Sequence, residues 1–383
     1  MLAAKKKHYE ETGTMRRVTP AQYKAEYPYL KEVDSLALAN EQLHLEAAYR
    51  NFFRDPSVGP PQFKSKKTDR RSYTTNLVNG NIRIEGKHLI LPKLGRIRLK
   101  QHRNIPEEYH LKSCTVSQRP SGSYYVSLLY EYEAVAVTRE VSRVLGLDFS
   151  MTELYVTSEG EHGVYPRYYR SSQEKLRRMQ RSLSRMERGS QNYQKQRRKI
   201  ARLHEHIANQ RNDFQHKRAR QIANDWDLVG IESLNMAGMK QALHFGKSAS
   251  DNGWGAFVEK LTYKLAEQGK ELVKIGGWYP SGKLCSKCGR KKEVLPLSER
   301  IYHCECGNEM DRDYNAAVNI REEARRIYLA AWNGKKNRGA HGVSSLILAP
   351  LGALSEKPPL QAAWLSGGSM SLCSPIPYNV FCQ

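Results

Sequence analysis

The stretch that decides the fold runs from Cys285 to Ile320 and reads CSKCGRKKEVLPLSERIYHCECGNEMDRDYNAAVNI. Four of the seven cysteines of the chain lie in it, followed by two aspartates at the start of a segment of small residues. Thiolates are soft ligands that suit zinc, whereas carboxylates are hard ligands that suit magnesium. The stretch therefore places two kinds of potential metal ligand next to each other.

The four cysteines predict one zinc site. Cys285 and Cys288 form the usual pair with two intervening residues, whereas Cys304 and Cys306 are separated by only one. His303 is an alternative ligand if one thiolate of the tighter pair points away. Four thiolates leave no open coordination position, which is typical of structural rather than catalytic zinc. The alternative, four buried free thiols, does not account for the paired spacing.

Composition predicts a protein that binds a polyanion. Among 383 residues, 62 are Lys or Arg and 39 are Asp or Glu, a formal charge of +23. Such an excess favours nucleic acid as the partner ahead of an anionic membrane. The chain has no run of 18 apolar residues and no signal peptide, and its cysteines are spaced for a metal rather than for disulfides. We therefore expect a cytoplasmic protein with no membrane partner.

The region before residue 140 is predicted to be helical and then β-rich. Residues 1–55 have apolar positions near helical spacing, and roughly residues 65–135 alternate between apolar and polar in short runs. A hairpin with its turn at Pro120-Ser121-Gly122 ends this region. The pattern predicts a small β-barrel or sandwich. Its basic charge indicates either nucleic-acid binding or a structural domain with solvated lysines.

Residues 171–220 are the most basic segment, with 15 Lys or Arg against 4 Asp or Glu. Apolar residues recur at helical spacing on both sides of a break at Gly189-Ser190, at Leu176, Met179, Leu183, Met186, Ile200, Leu203 and Ile207. The pattern predicts a helical hairpin with one apolar and one cationic side. The cationic side is either a solvated face or, as the charge imbalance favours, a surface that contacts phosphates.

Three carboxylates follow predicted structural elements. Asp148 and Glu232 each end a short apolar strand, and Asp313 begins the last helix, where it is also placed to cap that helix. An acid at a strand end also occurs for structural reasons in turns. In an RNase H-like sheet these three places meet at one edge, where the acids hold two Mg²⁺ ions for phosphodiester hydrolysis. Two aromatic residues near a Gly-rich loop, Trp254 and Phe257, either stack on bases or pack in the core.

These motifs, in this order, resemble the TnpB (OrfB) proteins of insertion sequences, which are similar to type V CRISPR effectors. The residues concerned are GLDFS at 146–150, IESLNMAGM at 231–239, the cysteine pairs, and DRDYNAAVNI at 311–320. The resemblance covers roughly residues 1–325 and includes KEVDSLAL, FKSKK, LPKLG and the segment 189–217. The order of the pieces makes the resemblance specific.

The resemblance implies an α+β multidomain protein. Residues 1–140 are expected to form a helical region and a small, wedge-like β-barrel for nucleic-acid recognition, without the opening tens of residues usual in the family. Residues 141–330 are expected to form an RNase H-like (RuvC) α/β nuclease domain, with a zinc ribbon inserted at 285–307. From Ala340 to Gln383 the chain matches nothing in the family, and only Glu356 and Lys357 are charged there. Since this segment also lacks periodicity, we expect residues 331–383 to form a low-charge, disordered tail.

The function that the resemblance implies is that of a transposon-encoded, RNA-guided DNA endonuclease. Asp148, Glu232 and Asp313 are then the RuvC acids that hold two catalytic Mg²⁺ ions, and the neighbouring Asp311 is not. The expected partners are a guide RNA from the transposon end and double-stranded and single-stranded DNA.

Three alternatives remain open. One is a nuclease-inactive remnant or repressor that binds DNA or RNA, and another is a transposase that itself cuts and joins DNA. The third is a purely structural zinc protein, which the charge of +23 disfavours.

Overall fold

A computed structural model describes residues 1–55, 57–65, 71–101, 104–133, 141–236, 238, 251–296, 298–336 and 378–382 of this chain. The chain divides into two compact units. Met1–Ala134 and Ser366–Gln383 form the first, and Val135–Leu365 form the second. The domain boundary predicted at residue 140 lies outside the described residues.

The first unit begins with helices, as the sequence predicts. They are α1 (Leu2–Thr12), two 3-10 turns at Pro20–Tyr23 and Pro28–Lys31, and α2 (Ser35–Arg54). The carboxylate of Asp34 caps α2, because it accepts a hydrogen bond from the backbone N–H of Leu36 at 3.2 Å. Asn40 fixes α2 to the first strand by donating to the carbonyl of Thr74 at 2.8 Å.

The strands of the first unit form one antiparallel sheet. They are β1 (Arg71–Asn76), β2 (Arg83–Glu85), β3 (His88–Leu91), β4 (Gly95–Lys100), β5 (His110–Gln118), β6 (Tyr124–Glu131) and the C-terminal strand Tyr378–Cys382. Their order is β1-β5-β6, the C-terminal strand, then β4-β3-β2. Apolar residues of this region form a core of Ile82, Leu89, Leu91, Leu99, Cys114, Val126, Leu128 and Tyr130. The predicted strands are confirmed, whereas closure into a barrel stays a prediction.

The C-terminal strand corrects part of the expected tail. Tyr378–Cys382 pairs with β6 on one side and with β4 on the other, and residues 331–336 continue the last helix. The prediction of disorder over residues 331–383 is wrong for these two pieces, and residues 337–377 lie outside the described residues. Low charge does not prevent a short segment from folding when two strand edges offer it backbone hydrogen bonds.

The second unit is built on a four-stranded sheet. Its strands are β7 (Val144–Phe149), β8 (Tyr155–Thr157), β9 (Leu228–Glu232) and β10 (Glu271–Ile275), in the order β10-β9-β7-β8. β7, β9 and β10 are parallel, and β8 is antiparallel to β7. The carboxyl ends of the three parallel strands therefore meet at one edge.

Helices cover both faces of this sheet. They are α3 (Tyr168–Ser184), α4 (Gln191–Asp225), α5 (Trp254–Ala266) and α6 (Arg312–Lys336). Residues such as Leu145 and Ile231 pack with α4 and α5 in the main core. The intervening positions, Gly146 and Gly230, contact α6. Successive side chains of a strand point to opposite faces, so α6 lies on the face opposite to α4 and α5.

A small hairpin precedes α6. Its strands are β11 (Ile301–His303) and β12 (Glu309–Asp311), which pair antiparallel. Together with the turn at residues 285–291 it forms the region predicted as a zinc ribbon. Among the helices that the structure describes, none is both long and apolar enough to cross a bilayer.

Candidate active site and metal centre

Asp148 and Glu232 are neighbours on adjacent parallel strands. The register of β7 and β9 pairs Gly146 with Gly230 and Leu147 with Ile231, so the two acids follow at equivalent positions. Each acid stands two residues after one of the paired glycines, and it therefore points to the face covered by α6. Two strands that are far apart in the sequence thus bring their acids to one place at the sheet edge.

Close contact between α6 and the sheet brings the third acid there. A Cβ atom on Gly146 would lie 2.0 Å from the carbonyl oxygen of Ala317, and one on Gly230 would lie 2.5 Å from Cβ of Ala324. Only glycine at both strand positions lets the helix backbone approach this closely. As a result Asp313, in the first turn of α6, reaches the edge where Asp148 and Glu232 lie.

Asp311, not Asp313, caps α6. The carboxylate of Asp311 accepts a hydrogen bond from the backbone N–H of Tyr314 at 3.0 Å. The prediction that Asp313 caps the helix is therefore wrong, because the helix begins at Arg312 and the acid before it is in the capping position. Asp313 is consequently available for other contacts.

The three acids interact electrostatically. Burial, and then the carboxylates of Glu232 and Asp313, raise the pKa of Asp148 well above its usual range. Burial also raises the pKa of Glu232. For Asp313, burial and then the neighbouring Asp311 raise the pKa. A cluster of carboxylates that disfavour each other's ionisation is the environment in which a bound cation is stabilised.

Polar side chains support the turn that follows Asp148. The amide of Asn252 donates to the carbonyls of Ser150 (3.0 Å) and Glu153. The adjacent Asp251 accepts from the hydroxyl of Tyr165 at 3.0 Å and from the N–H of Tyr169 at 3.1 Å, at the start of α3. Neither Asp251 nor Asn252 was predicted from the sequence; the available signal was an Asp-Asn pair just before a helix.

A hydroxyl contacts Glu232. Ser281, which is 5% exposed, donates a hydrogen bond through Oγ to Oε1 of Glu232. Ser281 lies between β10 and the first cysteine pair, and it was not predicted from the sequence. No local pattern distinguishes this serine from other loop serines.

The four predicted cysteines converge. Sγ of Cys285 lies 3.7 Å from Sγ of Cys306, and Sγ of Cys288 lies 3.6 Å from Sγ of Cys304. Zn–S bonds of about 2.3 Å at tetrahedral angles place sulfur atoms roughly 3.8 Å apart. Among the described residues, these cysteines are the one group of three or more His, Cys, Asp or Glu placed to hold one metal ion, and their sulfur atoms all lie within 4.8 Å of one another. The arrangement thus fits a tetrahedral metal ion.

The surroundings of Cys285 favour its thiolate, whereas the neighbouring thiols raise the pKa of Cys306. Burial would raise the pKa of Cys285, but hydrogen bonds from the backbone N–H groups of Cys288 and Lys287 and from neighbouring thiols lower it to about 6. His303, the alternative ligand, is outside the cluster, and its Nδ1 lies 3.6 Å from a carboxylate oxygen of Glu309. The tighter spacing of the second pair therefore does not require a substitute ligand.

The basic hairpin has the two sides that the sequence predicts. Ser190 caps α4 by accepting from the N–H of Tyr193 at 3.2 Å, and Leu176 and Ile207 are buried. The exposed side of the two helices bears Lys175, Arg177, Arg178, Arg181, Lys195, Arg197, Arg198, Lys199 and Arg202. Nine exposed basic side chains thus lie on α3 and the first part of α4, two of which, Arg177 and Arg178, also pair with Glu174.

The exposed aromatic residue near the acids is Trp278. Trp254 and Phe257 are 3% and 0% exposed and pack in the core, so the alternative that they stack on bases is wrong. Trp278 is 100% exposed and lies three residues after Ile275, which is paired in register with Glu232. An indole is therefore presented to solvent beside the edge where the acids lie.

Comparison with known proteins matches two family models between residues 127 and 320 and finds relatives along most of the length of the chain. Residues 127–243 match OrfB_IS605, described as "Probable transposase", and residues 254–320 match the "Cas12f1-like, TNB domain". A Streptomyces pristinaespiralis protein named "Putative RNA-guided DNA endonuclease" is 34% identical over 80% of this chain and 78% of its own length. "Putative RNA-guided DNA endonuclease InsQ" of Escherichia coli K12 is 30% identical over 77% and 76%.

A solved structure shares the fold. The Cas12f1 chain in a cryo-EM structure of a Cas12f1–sgRNA–target DNA complex aligns with 84% of this chain and 78% of its own length. The TM-score is 0.54 at 15% sequence identity. The mixed α/β architecture of this chain is therefore one that a Cas12f1 protein also has.

Proposed function

This chain belongs to the TnpB (OrfB) family, and we propose that it is a transposon-encoded, RNA-guided DNA endonuclease. The observation that supports this most directly is the meeting of Asp148, Glu232 and Asp313 at one sheet edge, where both other carboxylates raise the pKa of Asp148. The relatives are named as RNA-guided DNA endonucleases, and a nuclease of this kind needs such a cluster of acids.

The second unit is proposed to be an RNase H-like (RuvC) nuclease domain. Its sheet has three parallel strands with one antiparallel strand beside β7, and two of the acids end the central strands. Ligands bind outside the carboxyl ends of the strands in open α/β sheets. The acids lie at that edge, and α6 supplies the third from its N-terminal end.

The donor set fits two Mg²⁺ ions. Three carboxylates that meet at one sheet edge offer the hard oxygen ligands that suit Mg²⁺. When bound, two such ions lower the pKa of the attacking water and stabilise the leaving 3′-oxygen. Asp148, Glu232 and Asp313 would hold them as carboxylates, and Asp311 remains at the helix cap.

The cysteine cluster is proposed to hold one structural zinc ion. All four positions of a tetrahedron are filled by thiols, so no position is open for water or substrate. The surrounding core is small, with Leu295 and Tyr302 packed on Cys285. A region with so few apolar residues gains most of its stability from the metal.

Nucleic acid is proposed to contact two surfaces of the second unit. The cationic side of α3 and α4 provides sequence-independent contacts to phosphates. Trp278 provides a face on which an unpaired base stacks. The partners would be a guide RNA and target DNA, as the names of the relatives suggest.

Co-purification and cleavage test the proposal. The chain is co-expressed with the neighbouring transposon end, purified with bound RNA, and the RNA is sequenced. The complex is then given plasmids that contain a sequence complementary to the guide, together with Mg²⁺. Asp148→Ala and Glu232→Ala are the inactive controls, and Asp311→Asn is the matched control for an acid next to the site.

The expected result is cleavage of the matching plasmid by wild type but not by the two inactive variants. A discrete RNA without any cleavage would favour the alternative of a nuclease-inactive binding protein. Cleavage that survives Asp148→Ala would refute the assignment of the acids. The Asp311→Asn variant should cut at a rate close to that of wild type, because asparagine also caps helices.

A further inference from the structure

Ser281 connects the zinc-site region to the acids. Its hydroxyl donates to Oε1 of Glu232, and Cys285, a proposed zinc ligand, follows four residues later. The short segment between them is turned by two hydrogen bonds to the carbonyl of Pro280, from Lys283 N–H at 2.9 Å and Leu284 N–H at 3.0 Å. A compact turn therefore links a zinc ligand to a carboxylate of the active-site edge.

Two asparagines of α6 hold this turn. Asn319 donates to the carbonyls of Ser281 (2.7 Å) and Leu284 (2.8 Å). Asn315 donates to the same Leu284 carbonyl at 2.7 Å and accepts from the N–H of Ser286 at 2.9 Å. Asn315 is 0% exposed and Asn319 is 7% exposed. Buried amides with all these partners are costly to remove, so the turn has one position relative to the helix.

The same helix bears Asp313, two residues before Asn315. The helix that holds the turn therefore also carries Asp313, and the turn itself carries the hydroxyl that donates to Glu232. A glutamate side chain has three rotatable bonds, and ordering it costs conformational entropy. The hydrogen bond to Oε1 orders Glu232 before any ligand arrives.

We propose that Ser281 is a positioning residue that fixes the carboxylate of Glu232 for cation binding, with the turn at residues 280–286 held in place by Asn315, Asn319 and the cysteine site. This inference rests on the proposed function, since it gives Glu232 the role of a cation ligand. It adds a role for the cysteine region: the metal at that site stabilises the turn from which Ser281 reaches Glu232.

Cation affinity tests this role separately from activity. The full chain with its bound RNA, loaded with zinc and stripped of other divalent ions, is titrated with Mn²⁺, and free Mn²⁺ is measured by electron paramagnetic resonance. The variants are Ser281→Ala, which removes the hydroxyl, and Ser281→Thr, which keeps it. Ser142→Ala is the matched control, because Ser142 donates a similar hydrogen bond to Asp227 at 2.9 Å just before the opposite end of β7.

Removal of a hydrogen-bond partner of a metal ligand lowers metal affinity by about 10- to 100-fold. We expect this loss in Ser281→Ala, with zinc content unchanged, and affinities close to wild type in Ser281→Thr and Ser142→Ala. Asn319→Ala should also weaken Mn²⁺ binding. Because both changes act through one turn, the double variant with Ser281→Ala should weaken binding by less than the product of the two single effects.

Two results would overturn the inference in distinguishable ways. If Ser281→Ala retains zinc and binds Mn²⁺ as wild type does, then Ser281 does not position Glu232, while the proposed function stands. If wild type binds Mn²⁺ no better than Asp148→Ala, then the acids do not form a cation site, and the proposed function fails together with the role of Ser281.

Discussion

Gly146→Ala is expected to separate α6 from the sheet. The added Cβ would lie 2.0 Å from the carbonyl oxygen of Ala317 and 2.7 Å from the backbone N of Arg321, both of which are backbone atoms that cannot rotate away. Ordinary contact begins at 3.4 Å, so the helix must withdraw by about 1.4 Å. Gly146 is paired with Gly230 in register, and the displacement therefore acts at the centre of the interface.

The displacement has two measurable effects. Overpacking by one methyl group costs about 1–3 kcal/mol of unfolding free energy, and occasionally more. A shift of roughly 1 Å in a catalytic group lowers the rate about 100-fold. Because Asp313 moves with α6 while Asp148 and Glu232 stay on the strands, we expect DNA cleavage to fall by about two orders of magnitude even at a temperature where the variant remains folded.

Urea denaturation and guide-programmed plasmid cleavage measure the two effects. Gly255→Ala is the matched control, because it adds the same methyl group where no atom lies within 4 Å of the new Cβ. Its stability should stay within about 1 kcal/mol of wild type, with any change in the stabilising direction. Wild-type stability and cleavage in Gly146→Ala would refute the close contact between α6 and β7 on which the position of Asp313 depends.

Four further predictions concern the zinc site, the buried acid Asp148, the basic hairpin and the exposed tryptophan. Cys288→Ser should lower bound zinc from one ion per chain, measured by atomic emission, because three thiolates and a hydroxyl bind zinc more weakly than four thiolates. Without divalent cations, Asp148→Asn should increase the free energy of unfolding near pH 7. The pKa of Asp148 is raised in the folded state, so its protonated form contributes to the free energy of unfolding. This contribution is fully present below the unfolded-state pKa and is lost as pH rises through the folded-state pKa. Arg198→Ala with Arg202→Ala should make the dependence of log affinity for nucleic acid on log salt shallower by about 1 for each phosphate that is no longer neutralised, and Trp278→Ala should weaken single-stranded DNA binding by about 1–3 kcal/mol.

Each of these has a result that contradicts it. Full zinc content in Cys288→Ser would remove that thiol from the ligand set. Equal stability of wild type and Asp148→Asn in urea titrations from about pH 5 to about pH 8 would mean that burial and the neighbouring carboxylates do not raise the pKa of Asp148. If the double arginine variant binds nucleic acid with an unchanged salt dependence, then Arg198 and Arg202 of the basic hairpin face solvent and do not contact phosphates. For Trp278, the control is Trp332→Ala, which removes another exposed indole. Trp332 is 53% exposed and stacks on Tyr328. If Trp278→Ala and Trp332→Ala weaken single-stranded DNA binding equally, then Trp278 has no specific role.

Local sequence patterns predicted much of the site. The cysteine spacing predicted the cluster, because two ligands on one tight turn are brought together by the turn itself. The apolar runs predicted the strands that end at Asp148 and Glu232, since a strand buried on both faces requires such runs. The spacing of Leu176 and Ile207 and the break before Ser190 predicted the basic hairpin, because helix periodicity and capping are properties of neighbouring residues.

Other features depended on contacts between distant segments. Asp311 and Asp313 are both suitable as helix caps, and only the start of α6 at Arg312 assigns the cap to Asp311. Trp254 and Trp278 are chemically identical, and packing against the main core buries one and leaves the other exposed.

Two features are set by tertiary packing alone. Ser281 meets Glu232 across 49 residues of sequence, and Tyr378–Cys382 is a strand because it lies between β4 and β6. The sequence by itself determined which residue types were available and which local elements formed, because those depend on near neighbours. The tertiary structure determined which of them meet, because burial and hydrogen-bond partners are set by segments far apart in the chain.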